Sequence, residues 1–176
     1  MLLSVVKMER ELSKDILRDE HNSDIEKFEC KDHEDIYTFL NEKAIIYQAS
    51  GVANTTLYYD DKDNLVGFYT LFNDHIEISK KKIRSYRLPS DLTFFPSIRL
   101  HYFATDSRYQ KQGIGTFMLG DIFTNCLNLS MFSACTFINL QAKEDAIGWY
   151  KKRGFEPIGS LSHGLQDMIL PISKLI

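Results

Sequence analysis

The sequence has no excess of positive charge. Its 21 Lys and Arg stand against 24 Asp and Glu, a formal net charge of −3 with His neutral. A nucleic-acid partner would therefore need a local basic patch and not a global field. No long apolar run is present either: Met1-Leu2-Leu3-Ser4-Val5-Val6 meets Lys7, Glu9 and Arg10 too soon to span a membrane. That stretch lacks the small-residue cleavage pattern of a secretory leader, so a cytoplasmic location is expected. Only three cysteines occur, Cys30, Cys126 and Cys135, and no two are close. Free thiols in a reducing compartment are expected in preference to a disulfide framework. The histidines (His21, His33, His75, His101 and His163) show no ligand-like spacing, so no metal is expected.

What the chain does have is enough apolar residue to build a core. With 44% hydrophobic and 26% charged residues over 176 positions, it reads as one soluble globular domain spanning 1–176. A first strand is expected over residues 2–7, and the charged stretch up to about 30 has no clear period. Ile36, Phe39, Leu40, Ala44 and Tyr47 repeat at helical spacing, which predicts a helix from Asp35 to about Gln48 with Gly51 as its stop. Thr55–Tyr59 and Leu65–Phe72 are β-rich and flank the polar cluster 60–64, so they predict a hairpin, with Ile76–Ser79 continuing the sheet. Lys80, Lys81, Lys82, Arg84 and Arg87 form a basic run before Leu88-Pro89, more readily a solvated loop than a binding patch. Strands over 97–104, 134–140 and 165–171 alternate with helices over 113–130 and 143–153. Lys151, Lys152, Arg153 and Gly154 make a helix stop. The alternation implies an α/β fold with no repeat, linker or second domain.

Gln110-Lys111-Gln112-Gly113-Ile114-Gly115 carries the most chemical information. It lies between a strand and an apolar-periodic helix (Ile114, Phe117, Met118, Ile122). Two glycines there let backbone approach a ligand closely, and the first-turn N–H groups of the helix favour an anion. A nucleotide-triphosphate loop would need Gly-Lys-Ser/Thr, and here Thr116-Phe117 follow. A dinucleotide fingerprint would need a third glycine where Met118 stands. On these six residues alone, a helix start that happens to carry two glycines is an equal reading. A second segment shifts that balance. Ala146 and Tyr150 lie four apart, on one helical face, where a small residue leaves room for a ligand that ends at a phenol.

Gln110-x-x-Gly113-x-Gly115, then helix, strand and Ala146-x-x-x-Tyr150-x-x-x-Gly154-Phe155, resembles the GNAT superfamily of acetyl-CoA-dependent N-acetyltransferases, closely over Ile98–Phe155. The resemblance implies a mixed, mostly antiparallel sheet splayed between two central strands and flanked by helices. It also implies acetyl-CoA as co-substrate. Its pyrophosphate would be held by the backbone of Lys111, Gln112, Gly113, Ile114, Gly115 and Thr116. Its pantetheine would pair with Tyr102, Phe103, Ala104 and Thr105. Tyr150 would be the general acid near the sulfur. Phe28-x-Cys30, Ile36-x-x-Phe39-Leu40, Gly67-Phe68-Tyr69-Thr70-Leu71, Leu88-Pro89 and Asp167-Met168-Ile169-Leu170-Pro171 further resemble the toxin branch, which acetylates the α-amino group of aminoacyl-tRNA. That branch implies an antitoxin partner and a homodimer, with Lys80, Lys81, Lys82, Arg84 and Arg87 as tRNA contacts. Two departures stand out: Lys143 replaces an asparagine common in GNAT enzymes, and the overall charge is acidic.

Acetyl transfer to an amine needs a neutral nucleophile, a stabilised oxyanion and a tolerated thiolate. A strand N–H near Phe103 suits the second need and Tyr150 the third. For the first, Glu77, Asp74 and His101 are candidates that the sequence does not rank. The absence of an obvious base favours an amine of low pKa, such as an α-amine near 7.7–8.0, over lysine near 10.4. Acetylation of a small molecule or protein amine, and a non-catalytic CoA-binding module, stay open at this point.

Overall fold

A computed structural model describes residues 11–31 and 33–176; the strand expected over 2–7 lies outside them. The described residues form two compact units, one of those up to 72 with 100–122, the other of 73–99 with 123–176.

In the first unit, strand β1 (Ser13–Ile16) pairs antiparallel with β2 (Asn54–Tyr59), which pairs antiparallel with β3 (Leu65–Glu77). The β2–β3 turn closes because the buried Asp60 carboxylate accepts from the backbone N–H groups of Lys62 and Asn64 at 3.0 and 2.8 Å. The expected helix over 35–48 is present in three pieces: α2 (Glu34–Thr38), a π turn (Phe39–Lys43) and α3 (Ala44–Ala49), preceded by the short α1 (Asn22–Ile25). Phe39, Leu40 and Ala44 pack from it onto Leu57, Leu65, Phe68 and Ala104. Gly67 is required for close packing: a Cβ there would lie 2.8 Å from the Met118 thioether and 3.0 Å from the Ala104 carbonyl oxygen.

In the second unit, β5 (Phe137–Lys143) pairs antiparallel with β7 (Leu165–Pro171), and β7 with the short β6 (Glu156–Pro157). The basic run is a helix, α4 (Lys80–Ser85), not the solvated loop expected. The Ser79 hydroxyl caps it by accepting from the Lys82 N–H, and Ile83 supplies its apolar anchor. The density of charge in this run hides the apolar residues that fix it: Ile83, Tyr86 and Leu88 pack against Ile78, Phe95, Phe137 and Ile169. Strand β4 (Phe94–Thr105) and helix α5 (Ile114–Ser130) contribute residues to both units. Hydrogen-bonded neighbours follow the order β1-β2-β3-β4 and β3-β4-β5-β7-β6. The result is the mixed α/β sheet with flanking helices that the sequence implied.

Two further boundaries differ from expectation. Strand β5 is displaced three residues along the chain. The helix expected over 143–153 is a 3₁₀ turn (Glu144–Ala146) followed by α6 (Ile147–Lys151). Lys143 belongs to the β5–β7 ladder opposite Leu165, and that pairing overrides its helical propensity. Gly154, at φ 91°, ends the helix in the left-handed conformation expected of it. Among the described residues, no helix is long and apolar enough to cross a membrane.

Candidate active site

Two sets of residues carry the candidate chemistry, one in each unit. In the first unit, β4 ends at Thr105 and the chain enters a turn centred on Asp106, whose carboxylate is completely buried. It accepts hydrogen bonds from the Glu29 N–H at 2.9 Å, and from Arg108 through its N–H at 2.8 Å, Nε at 2.9 Å and Nη2 at 2.7 Å. Burial opposes ionisation, but these donors, Arg108 foremost, outweigh it and hold the carboxyl below its usual pKa. The Ser107 N–H donates to the Glu29 carbonyl and its hydroxyl accepts from the Lys31 N–H, so the turn is sewn to residues 29–31 from both sides. In the sequence, Thr105-Asp106-Ser107 reads as a plain polar turn. The available signal is an Asp at a strand end two residues before Arg, the pattern of a side chain capping its own turn.

Beyond this anchor, Gln110, Lys111 and Gln112 are exposed, while Gly113, Gly115 and Thr116 are half-buried and Ile114 is buried. Lys111 (φ 62°) and Gly113 (φ 87°) both adopt left-handed backbone. The alternation around Gln112 is the pattern that turns successive N–H groups toward one side, as in an anion nest. Gly113 also begins the helix, since its carbonyl accepts from the Phe117 N–H at 3.0 Å. Gly115 lies within the first turn of α5 without a left-handed φ, so its value there is the missing side chain and not conformational freedom. On β4, Phe103 and Thr105 are half-buried, whereas Ala104 points into the core. Tyr102 stacks on Phe39 with ring centroids 4.0 Å apart, inside an aromatic group completed by Tyr47, His101 and Phe72.

In the second unit, Tyr150 sits on α6 and is 8% exposed. Its ring meets Trp149 and Phe155 edge to face at 5.0 and 5.5 Å, which fixes its direction. Its hydroxyl has no hydrogen-bond partner among the described residues, and burial pushes its pKa up while the Arg153 charge draws it slightly down. The phenol therefore stays protonated throughout the neutral range and holds a free O–H to donate. Ala146, half-buried, is the residue from which α6 starts, four positions before Tyr150.

The basic run divides in two. Lys82 is committed, its Nζ 3.0 Å from Glu156 Oε2 and 5.7 Å from the centroid of the Tyr86 ring. Lys174 and the Tyr86 hydroxyl also bind Glu156, and together these partners hold its carboxyl at about 2. Lys80, Lys81, Arg84 and Arg87 are exposed and have no acidic partner among the described residues. The donor atoms of Asp15, Glu20 and His21 lie within 4.8 Å of one another, but the Arg18 guanidinium already occupies both carboxylates at 3.2 and 3.1 Å.

Residues 53–157 match the family described as the acetyltransferase (GNAT) domain. No curated protein matches in sequence. Several solved structures share the fold. One described as a bacterial toxin superposes with a TM-score of 0.83 at 18% identity, covering 94% of this chain and 93% of its own. AtaT complexed with acetyl-methionyl-tRNAfMet gives 0.78 at 22% identity, covering 94% and 97%. A tyrosine-to-phenylalanine variant of KacT gives 0.81 at 22% identity, with the same coverage. With that match extending from β2 through β6, the chain belongs to the GNAT acetyltransferase family.

Proposed function

We propose that this GNAT acetyltransferase transfers the acetyl group of acetyl-CoA to the α-amino group of aminoacyl-tRNA, with Tyr150 as the general acid. The observation that carries the reading is the Tyr150 phenol: buried, oriented by two rings, kept neutral, and with an undirected O–H. The backbone of 111–116 cradles the CoA pyrophosphate, since left-handed Lys111 and Gly113 turn N–H groups outward at a helix start. Phe103, Ala104 and Thr105 supply strand hydrogen bonds to the pantetheine, and small Ala146 leaves it room. Gln110 precedes the cradle and Gln112 lies within it, both with exposed polar side chains. The whole chain acts as one acetyltransferase domain.

As the C–S bond breaks, charge grows on sulfur and the Tyr150 O–H donates to it. A raised phenol pKa makes complete proton transfer to a thiolate, near 8.5 when free, more uphill than an ordinary tyrosine would find it. Tyr150 therefore stabilises the leaving group chiefly as a hydrogen-bond donor, and its proton follows late. Helix α4 supports this acceptor: its cations Lys80, Lys81, Arg84 and Arg87 have no acidic partner among the described residues and suit a phosphodiester backbone. Support comes from the shared fold of AtaT, which is seen with acetyl-methionyl-tRNAfMet and with its antitoxin AtaR. By the same likeness, an antitoxin is the protein partner this reading includes.

Tyr150→Phe tests the assignment. Turnover of aminoacyl-tRNA should fall by about 10²-fold or more, as loss of a general acid usually causes, while acetyl-CoA affinity holds. Near-normal turnover would remove Tyr150 from this role. A wild-type chain that binds acetyl-CoA and acetylates no amine would replace the enzyme reading with a CoA-binding module.

A further inference from the structure

Three neighbouring strands of the second unit bring together a polar cluster distinct from the Tyr150 group. Asp74 lies on β3, Arg99 on β4 and Asn139 on β5. Asn139 Nδ2 donates to Asp74 Oδ2 at 2.9 Å, and the His75 N–H donates to Asp74 Oδ1 at 2.8 Å. Arg99 Nη1 stands 3.7 Å from Asp74 Oδ2, an ion pair too long for a hydrogen bond. Asn139 is 2% exposed, and its Oδ1 is buried without a hydrogen-bond partner. Ser97, two residues before Arg99 and so on the same strand face, has a buried hydroxyl with no partner either. Orphaned polar atoms of this kind are rare in a protein interior and call for a reason.

The cluster has a direction. Ile76, Phe95 and Phe137 stand an even number of residues from Asp74, Arg99 and Asn139 on their strands, and Ile169 is opposite Asn139 on β7. These four pack with Ile83 of α4, so Asp74, Arg99 and Asn139 share the sheet face that α4 covers. The Asp74 side chain is 23% exposed, so part of it stays open to solvent.

We infer that Asp74 is the carboxylate that receives the acceptor's amino group, and that Asn139 and Arg99 are its positioning residues. This rests on the acetyltransferase reading above. It also ranks the three candidate bases: Glu77 is exposed, and His101 is enclosed by Phe39, Tyr102 and Phe72. Asp74 accepts from the amide of the buried Asn139 while part of its own side chain stays open to solvent. The acceptor enters as R–NH₃⁺, hydrogen-bonds to Asp74 and loses one proton through it to water. The neutral nitrogen attacks the thioester carbonyl carbon, forming the C–N bond. A second nitrogen proton leaves by the same route as the C–S bond breaks, and the thiolate takes its proton from Tyr150, which is reprotonated from solvent.

Asp74→Asn in the full chain should lower kcat for aminoacyl-tRNA by about 10²-fold, in the range for removing an acid–base group, with acetyl-CoA affinity unchanged. The loss should grow with the pKa of the acceptor across a series of amines, which a merely structural defect would not produce. Asn139→Ala should lower kcat in the same direction, and the double variant should be no slower than Asp74→Asn, because Asn139 acts through Asp74. Retention of kcat within about threefold in Asp74→Asn, or an equal loss for every acceptor, overturns the assignment. If Asp74→Asn does not fold, Asn139→Ser decides in its place: reduced kcat with intact acetyl-CoA binding supports the inference, and unchanged kcat overturns it. A wild-type chain without transferase activity sinks the acetyltransferase reading itself, an outcome distinct from an active wild type with an equally active variant.

Discussion

Asp106→Ala is the sharpest test of how the loop before the glycine pair is held. The wild-type carboxylate receives four hydrogen bonds at 2.7–2.9 Å, two from backbone N–H groups and two from the Arg108 guanidinium. Hydrogen bonds to a charged group are worth about 1.5–3 kcal/mol each when buried. Arg108 is 45% exposed, so water replaces much of its share, and the two backbone bonds dominate the loss. A destabilisation of about 3 kcal/mol follows, or roughly 6–12 °C in Tm for a chain of this size. Asp106→Asn retains an acceptor oxygen but turns an NH₂ toward Arg108, and should cost about 2 kcal/mol. Urea unfolding of the three proteins at pH 7 and pH 3 measures both. Because the folded pKa is depressed, the stabilisation is present above the unfolded value of about 3.9 and is lost as pH falls through the folded value. The gap between wild type and Asp106→Asn should therefore shrink below about pH 4. A gap of under about 1 kcal/mol at pH 7, or one that stays constant to pH 3, would refute the reasoning. Acetyl-CoA should also bind Asp106→Ala at least about tenfold more weakly, since the turn feeding residues 110–116 has lost its anchor.

Gly113→Ala should cost about 1–2 kcal/mol through its left-handed φ and weaken acetyl-CoA more than it slows turnover at saturation, as titration calorimetry would show. Neutralising Lys80, Lys81, Arg84 and Arg87 to Gln should weaken tRNA binding and flatten its dependence on log[salt] by about 0.7–0.9 for each phosphate no longer neutralised, while acetyl-CoA binding holds. Unchanged salt dependence would take tRNA off α4. Glu156→Gln releases Lys82 and Lys174 and should destabilise by about 1 kcal/mol, since the side chain is 39% exposed and solvent screens the pairs. Glu156 has a folded pKa of about 2, so the stability it adds is complete above its unfolded value of about 4.3 and vanishes as pH falls toward 2, which thermal scans of both proteins would resolve.

The legible parts of this fold are those where local chemistry and tertiary demand agree. The period of Ile36, Phe39, Leu40 and Ala44 marks the helix because the same residues form the core contact. The run 165–171 marks β7 to the residue. Gly113 and Gly154 mark left-handed positions. What a string of residues does not show depends on partners distant in sequence. Asp106 gains meaning only from Glu29, 77 residues away, and Asn139 from Asp74, 65 residues away. Lys143 looks helical until Leu165 claims it for a ladder. Likewise, Asp74, Glu77 and His101 are equal candidates in a string and become unequal only by burial and neighbours.

On the proposed function, the charge of α4 reconciles an acidic chain with a polyanionic acceptor. Three lysines crowd the first turn of a six-residue helix, the end where the helix dipole is positive and cations are unfavourable by about 0.3–1 kcal/mol each. A fold seeking stability alone would place Asp or Glu there. Lys82 meets Glu156 and so contributes little outward field, but Lys80, Lys81, Arg84 and Arg87 have no such partner among the described residues. Within a Debye length of about 8 Å at physiological salt, an approaching phosphate senses those four charges and not the chain total of −3. On that reading, a phosphate that arrives relieves the mutual repulsion of the lysines. A basic helix that costs stability in isolation is what an anionic acceptor requires, and net charge is the wrong measure of it.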